Sequence, residues 1–272
     1  MSDLRIAIAG AGGRMGAANI RAVTATPGLV VASAFDRPGT PAAGKDAGEL
    51  AGIEALGVAI TDSVEAALTD VDAIVDFTAP AASVALSRIA AARGLIHIVG
   101  TTGCSAEDDA EIARAAASAR IVKSGNFSLG VNLLMGLVRQ AAAALPGFDI
   151  EIVEMHHNKK VDAPSGTALM LGQAAAEGRG VDLATHKVSG RDGHTGAREA
   201  GTIGFAALRG GNVIGDHTVI LAGGSERIEL THKADNRALF AEGAARAALW
   251  ARDQRPGLYS MADVLGFNRQ DN

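Results

Sequence analysis

The sequence predicts an α/β protein, and three observations carry that prediction. Short β-branched runs alternate with alanine-rich stretches from Arg5 to Lys123, and the runs lack the polar alternation of a half-exposed sheet. Aromatic residues make up only 3% of a chain that is 48% hydrophobic, so the core has to be built from Ala, Val, Leu and Ile. A glycine-rich segment, Gly10-Ala-Gly-Gly-Arg-Met-Gly16, follows the first run directly and leads into a helical stretch. The 272 residues suffice for one large domain or two ordinary ones.

In order, strands are expected at Arg5–Ala9, Val30–Phe35, Val58–Ile60, Asp72–Phe77, Leu95–Val99 and Arg120–Lys123, with helices between them as repeated βα units. Pro80 suits the first turn of one helix and Gly94 its stop, while Ser105 with Asp108 three residues on forms a capping box for the next. Arg37–Gly48, with its Pro and Gly residues, reads as a loop. After Asn126 the pattern changes. A long helix from about Leu129 to Leu145 stops at Pro146-Gly147, a strand spans Phe148–Met155, and a helix opens at Ser165. Three runs then follow without intervening helices, Gly201–Ala206, Asn212–Leu221 and Arg227–Lys233, and the turns Arg209-Gly-Gly and Ala222-Gly-Gly-Ser suit antiparallel neighbours. This is an α+β arrangement, closed by an alanine-rich helix over Asn236–Arg252. The domains expected are 1–127 and 128–235, and the pattern lets the closing helix pack on either of them.

Composition narrows the function. A net charge of −5 lacks the basic surface that nucleic-acid binding demands, so no nucleic-acid partner is expected. No apolar run reaches the roughly 20 residues of a spanning helix, and a strand beginning by Arg5 leaves no space for a signal peptide; a cytoplasmic protein without a membrane partner is expected. The single cysteine, Cys104, excludes an internal disulfide and a cysteine zinc site, and with no evident base beside it the thiol is taken as incidental.

The glycine segment lets backbone amides approach a pyrophosphate at a helix N-terminus, where the partial charge is positive. Gly10, Gly12 and Gly13 supply that access, although Met15 and Gly16 break the strict G-x-G-x-x-G spacing. Asp36 ends the second strand about 20 residues on, where a carboxylate accepts from ribose hydroxyls, and this favours NAD. Beside it Arg37 suits a 2′-phosphate, so the corner accepts NADP as well. Gly100-Thr-Thr-Gly103 and Ser124-Gly-Asn-Phe127 end later strands and read either as plain turns or as the lining of the nicotinamide end.

The densest chemistry lies in Glu154-Met-His-His-Asn-Lys-Lys-Val-Asp-Ala-Pro-Ser-Gly-Thr167. A histidine exchanges protons near neutral pH, and a lysine donates one or binds a carboxylate, which is what reduction of a carbon–nitrogen or conjugated double bond needs beside a hydride. Ser165-Gly166-Thr167 has the form of a helix cap, whose amides and hydroxyls suit a carboxylate, so an acidic substrate is expected. Adjacent His156 and His157 do not converge on one ion and no H-E-x-x-H accompanies them, so no metal is expected.

These residues also carry a resemblance. AIAGAGGRMG at the start, DFT at Asp76–Thr78, VGTTG at Val99–Gly103, NFSLGVN at Asn126–Asn132, EMHHNKKVDAPSGTA at Glu154–Ala168 and SGRDGHTGAREAGTIGF at Ser189–Phe205 resemble the dihydrodipicolinate reductases of bacterial lysine and diaminopimelate biosynthesis, almost end to end. The resemblance implies an N-terminal Rossmann-like dinucleotide-binding domain with 236–272 packing back on residues 1–127, a C-terminal α+β domain with an open mixed sheet, and a homotetramer. It implies that Gly10, Ala11, Gly12, Gly13, Arg14, Met15, Asp36, Arg37, Gly100, Thr101, Thr102, Ser124, Gly125, Asn126 and Phe127 hold NADH or NADPH. His156 and Lys160 then take the acid/base roles, and His157, Gly166 and Thr167 hold the substrate. The reaction implied is NAD(P)H-dependent reduction of 4-hydroxy-tetrahydrodipicolinate, a small dicarboxylate, with loss of water. Lys159 stands where relatives vary and inherits no role. Another NAD(P)-dependent reductase of an amino or keto dicarboxylic acid, or a dinucleotide sensor without catalysis, fits the same two domains, although His156 and Lys160 count against the sensor.

Overall fold

The computed structural model describes residues 2–267, which form two compact units: residues up to Leu129 together with those from Ala238 onward, and Gly130–Arg237. No helix among the described residues is long and apolar enough to cross a membrane.

The first unit opens with β1 (Leu4–Ala9), α1 (Arg14–Ala25) and β2 (Leu29–Phe35), then the short helices α2 (Ala47–Ala51) and α3 (Val64–Ala67). There follow β3 (Ala73–Asp76), α4 (Pro80–Arg93), β4 (Ile96–Val99), α5 (Ala106–Ala115) and β5 (Arg120–Lys123). Pro80 does begin α4, Gly94 ends it in the left-handed conformation, and Ser105 with Asp108 makes the expected capping box of α5. The expected strand at Val58–Ile60 does not form; only isolated bridges, Phe35 to Thr61 and Asp46 to Ala59, occur there. The reason is Asp46, whose carboxylate accepts from the amides of Gly48, Glu49, Leu56 and Val58. The Val58 amide that a ladder would need is thereby taken, and the segment curls around one side chain.

The second unit comprises α6 (Leu129–Ala144, whose first residue belongs to the first unit), β6 (Asp149–His156), α7 (Gly166–Arg179), α8 (Leu183–His186), β7 (Lys187–Ser189), β8 (Ile203–Arg209), β9 (Asp216–Ala222) and β10 (Arg227–Lys233). Its mixed sheet has the order β10-β9-β6-β8-β7. β9 and β10 do pair antiparallel across Ala222-Gly-Gly-Ser, but β8 and β9 are not neighbours as Arg209-Gly-Gly had suggested. β6 lies between them, parallel to β8 and antiparallel to β9, and the Gly210 amide donates to the His156 carbonyl instead of closing a hairpin. Alternate β6 residues, Ile150 and Ile152, are buried with Leu171 and Ala175 of α7, as the two-residue period of a strand with one covered face requires.

The chain returns to the first unit in α9 (Ala238–Ala251), β11 (Gly257–Tyr259) and α10 (Met261–Val264). β11 adds to β5 and completes a six-stranded parallel sheet, order β11-β5-β4-β3-β1-β2. Ile6, Ile8, Ile96, Ile98 and Val122 face the layer of α1 and α9, to which α1 brings Ile20 and Val23 and α9 brings Ala244, Ala247, Ala248 and Ala251. Ala7, Ala9, Ile74 and Ile121 face the opposite layer, with Leu86, Ala90 and Ile112 of α4 and α5. The same strands thus feed two cores, which is why their hydrophobic runs are continuous.

Candidate active site

At the end of β1 the chain turns at Gly10, φ 66°, and passes into α1. A Cβ on Gly12 would lie 2.8 Å from both Asp36 Oδ2 and the Ala42 methyl, and one on Gly16 only 2.2 Å from the Gly10 carbonyl oxygen. The loop is therefore pressed onto its own helix with no space for side chains. Gly13 at the N-cap offers no side-chain acceptor, so the first-turn amides of α1 stay open to an anion. Asp36 is fixed: Oδ2 accepts from the Gly12 amide at 2.8 Å and Oδ1 from the Arg37 amide at 2.7 Å. A cavity of about 500 Å³ is lined by Gly10, Gly12, Gly13, Asp36, Arg37, Thr40, Lys45, Phe77 and Thr78, among others. Bare backbone at a helix N-terminus, one carboxylate and two cations in one cavity fit a dinucleotide.

The lining of that cavity does not include Gly100–Thr102 or Ser124–Phe127, which follow β4 and β5 on the same C-terminal sheet edge. Gly100 packs on Phe77, whose ring a Cβ would meet at 2.2 Å. The Ser124 hydroxyl donates to the Asn126 carbonyl at 2.7 Å, and the buried Phe127 ring packs on Phe77 at 5.5 Å between centroids. Thr101 is buried, its Oγ1 accepting from the Thr78 amide at 3.0 Å. Phe127 and Thr101 thus spend their side chains inside the protein, whereas Thr102 is exposed.

Beneath these loops lies a polar network that sequence reasoning missed. Asp76, fully buried, accepts from the Ser83 hydroxyl at 2.5 Å and from the hydroxyl and amide of Thr78 at 2.6 and 3.0 Å. His97 Nε2 lies 3.3 Å from the same carboxylate, and its Nδ1 lies 3.0 Å from Ser87 Oγ. Burial alone would push the Asp76 carboxyl up, but hydrogen bonds and charge from His97, then Ser83 and Thr78, hold it below the usual carboxylate range.

In the second unit Glu154 and His156 sit two residues apart on β6 and so share a face. Glu154 Oε2 lies 2.5 Å from His156 Nδ1. Arg209 of β8 grips both carboxylate oxygens at 2.8 and 3.0 Å, and the Ser165 amide donates to Oε1 at 3.1 Å. The His217 ring of β9 meets His156 edge-on at 5.1 Å between centroids. Burial, reinforced by the neighbouring His156, pushes His217 down to about 4, so this ring is neutral. Lys160 pairs with Asp162 at 2.8 and 3.0 Å, and that hydrogen bond holds the Asp162 carboxyl low. Ser165 caps α7 through the Ala168 amide, and around exposed Gly166 there is open space where a side chain would be. His157 is half-buried and follows β6 directly. Cys104 stands apart in the first unit, its thiol pushed up by burial and so poorly nucleophilic.

Two family models match the chain, "Dihydrodipicolinate reductase, N-terminus" over residues 4–127 and "Dihydrodipicolinate reductase, C-terminus" over residues 130–265. The 4-hydroxy-tetrahydrodipicolinate reductase of Rhodopseudomonas palustris strain BisB18 is 62% identical over 269 residues, covering 98% of this chain and 99% of the relative.

The chain belongs to the dihydrodipicolinate reductase family.

Another relative of the same name, from Rhizobium rhizogenes, is 58% identical over 272 residues and covers 98% of this chain and 99% of its own. A solved dihydrodipicolinate reductase from Paenisporosarcina sp. TG-14, bound to dipicolinate, shares the fold with a TM-score of 0.77 at 24% identity, over 95% of this chain and 97% of that one. As a dihydrodipicolinate reductase the chain is an oxidoreductase with a Rossmann unit for NADH or NADPH. Within this family member, sequence reasoning gave no role to Glu154, Arg209, His217, Lys45 or the Asp76 network. For Glu154 a signal existed, its two-residue spacing from His156 on one strand; Arg209 and His217 come from strands whose pairing with β6 had not been foreseen.

Proposed function

We propose that the chain catalyses the NADH- or NADPH-dependent reduction of 4-hydroxy-tetrahydrodipicolinate to tetrahydrodipicolinate, with loss of water, as a step of lysine and diaminopimelate biosynthesis. The observation that carries this reading is the His156 imidazole, held at Nδ1 by Glu154 and without a hydrogen-bonding partner at Nε2 among the described residues, in a segment that ends in the open cap Ser165-Gly166-Thr167. The family relatives bearing the name 4-hydroxy-tetrahydrodipicolinate reductase support the substrate.

The reduced nicotinamide supplies a hydride to the ring of the cyclic imine. The backbone from Gly10 to Met15, including Ala11 and Arg14, holds its pyrophosphate, Asp36 its ribose and Arg37 a 2′-phosphate when one is present. Gly100–Thr102 and Ser124–Phe127 hold the dinucleotide through backbone and the exposed Thr102. His156 and Lys160 exchange the proton that balances the hydride and the leaving water. His157 and the helix start at Gly166 and Thr167 hold the substrate carboxylates. The working protein is a cytoplasmic homotetramer with a small dicarboxylate as its partner.

The test is consumption of NADH and of NADPH with freshly generated 4-hydroxy-tetrahydrodipicolinate. His156→Gln is expected to lower turnover roughly 100-fold or more while leaving dinucleotide binding nearly unchanged. A wild type that binds dinucleotide but never oxidises it with this substrate overturns the reading.

A further inference from the structure

We propose that Glu154 is a positioning residue: anchored by Arg209 and the Ser165 amide, it fixes the His156 imidazole in the tautomer with its proton on Nδ1 and leaves Nε2 as the atom that exchanges protons. The inference rests on His156 serving as the acid/base of the reaction above.

The arrangement is built by the backbone. Glu154 and His156 point to one side of β6, so their contact does not depend on the fit of a flexible loop. The Glu154 carboxylate is 1% exposed and receives four contacts, two on each oxygen: His156 and Arg209 at Oε2, Arg209 and the Ser165 amide at Oε1. With both oxygens engaged it cannot swing away. Burial alone would push this carboxyl up, but the hydrogen bonds from Arg209 and His156 outweigh burial and hold it below the usual carboxylate range. It is therefore ionised and only accepts, so the imidazole atom facing it carries the hydrogen.

The other nitrogen faces the turn that leads into β9. Gly215 lies against it, and a Cβ there would come within 3.0 Å of Nε2. The charged and titratable groups around the paired His156 and His217 rings are Glu154 on β6, Arg209 on β8, His232 on β10, and Lys160 with its partner Asp162 in the loop after β6. Arg209 is spent on Glu154 and on the Asp162 carbonyl, and His217 is neutral. The charge bonded to the imidazole is thus that of Glu154, which orients the ring, as a carboxylate does for a general-base histidine.

The test uses the intact enzyme with NADH or NADPH and freshly generated substrate. In Glu154→Gln, kcat is expected to fall roughly 100-fold while the KM for dinucleotide stays within about twofold. Nitrogen-15 spectra of His156 should show the Nδ1–H tautomer in the wild type and a mixture in the variant. Gly215→Ala, which leaves Glu154 in place, should lower kcat at least tenfold with the tautomer unchanged. A Glu154→Gln enzyme with wild-type kcat and tautomer overturns the proposal, and a fully active Gly215→Ala overturns the choice of Nε2. If the wild type itself does not oxidise dinucleotide with this substrate, the functional reading fails, but the spectra still decide: loss of the Nδ1–H tautomer in Glu154→Gln supports the positioning role, and its retention overturns it.

Discussion

Nε2 of His217 lies 3.0 Å from the hydroxyl oxygen of Ser165, the residue that caps α7. A neutral imidazole is thereby built into the helix start, and acid should be felt there first. The folded-state value of about 4 lies below the ordinary 6.5, so the contribution to stability is complete above pH 6.5 and is lost as the unfolded chain takes up a proton that the folded one refuses. Between pH 6.5 and 4 this amounts to a loss of about 3 kcal/mol. Urea titrations at several pH values should show that slope in the wild type and a shallower one in His217→Asn. The buried carboxylates Asp76 and Glu154, held low, are lost only at more acid pH, which separates the two effects.

Asp76→Asn replaces one acceptor of the buried network with a donor facing Ser83 and His97. Stability should fall by about 2–4 kcal/mol. Because Thr78 lines the cavity proposed for the dinucleotide and is held by Asp76, dinucleotide affinity should fall as well. Denaturation midpoints and fluorescence titration of NADH measure the two; an unchanged affinity would confine the network to supporting the sheet.

Gly16→Ala drives a methyl into the Gly10 carbonyl and the Ala11 backbone, neither of which can rotate away. Overpacking of this kind should cost about 1–3 kcal/mol. It should also displace the first-turn amides of α1 and weaken dinucleotide binding at least tenfold. Gly13→Ala, whose methyl would stand 3.3 Å from the same carbonyl, should be milder in both measurements.

Arg37→Ala should raise the Kd for NADPH by roughly 10- to 100-fold, the worth of one or two charge-assisted hydrogen bonds, and change that for NADH by less than about threefold. Equal losses with both dinucleotides would remove Arg37 from the 2′-phosphate.

What the sequence reveals depends on how local the cause is. The β1–loop–α1 unit is legible because strand, glycines and helix are contiguous, and the caps at Pro80, Gly94 and Ser105 because a cap is decided within four residues. Val58–Ile60 misleads because its amide is captured by Asp46, 12 residues upstream. The three-residue edge strands β7 and β11 are too short to show a period. Arg209-Gly-Gly reports a turn correctly but not that β6 would come between the strands it joins. In the site, His156 stands out by its chemistry, whereas Arg209 is 55 residues from Glu154 and His97 is 21 from Asp76, separations at which pairing has no local signature.

The return of α9 and β11 to the parallel sheet has a consequence for biosynthesis on the ribosome. The strands bearing Ile96, Ile98 and Val122 are made long before the alanine face of α9 that packs on them. Until residues 238–259 emerge, a nascent chain carries a finished second unit and, beside α1, an apolar sheet surface over β4 and β5 that lacks its α9 cover and has an open edge at β5. That intermediate is a natural client for a chaperone that shields hydrophobic surface, and a chain truncated before Ala238 should aggregate where the longer one stays dispersed.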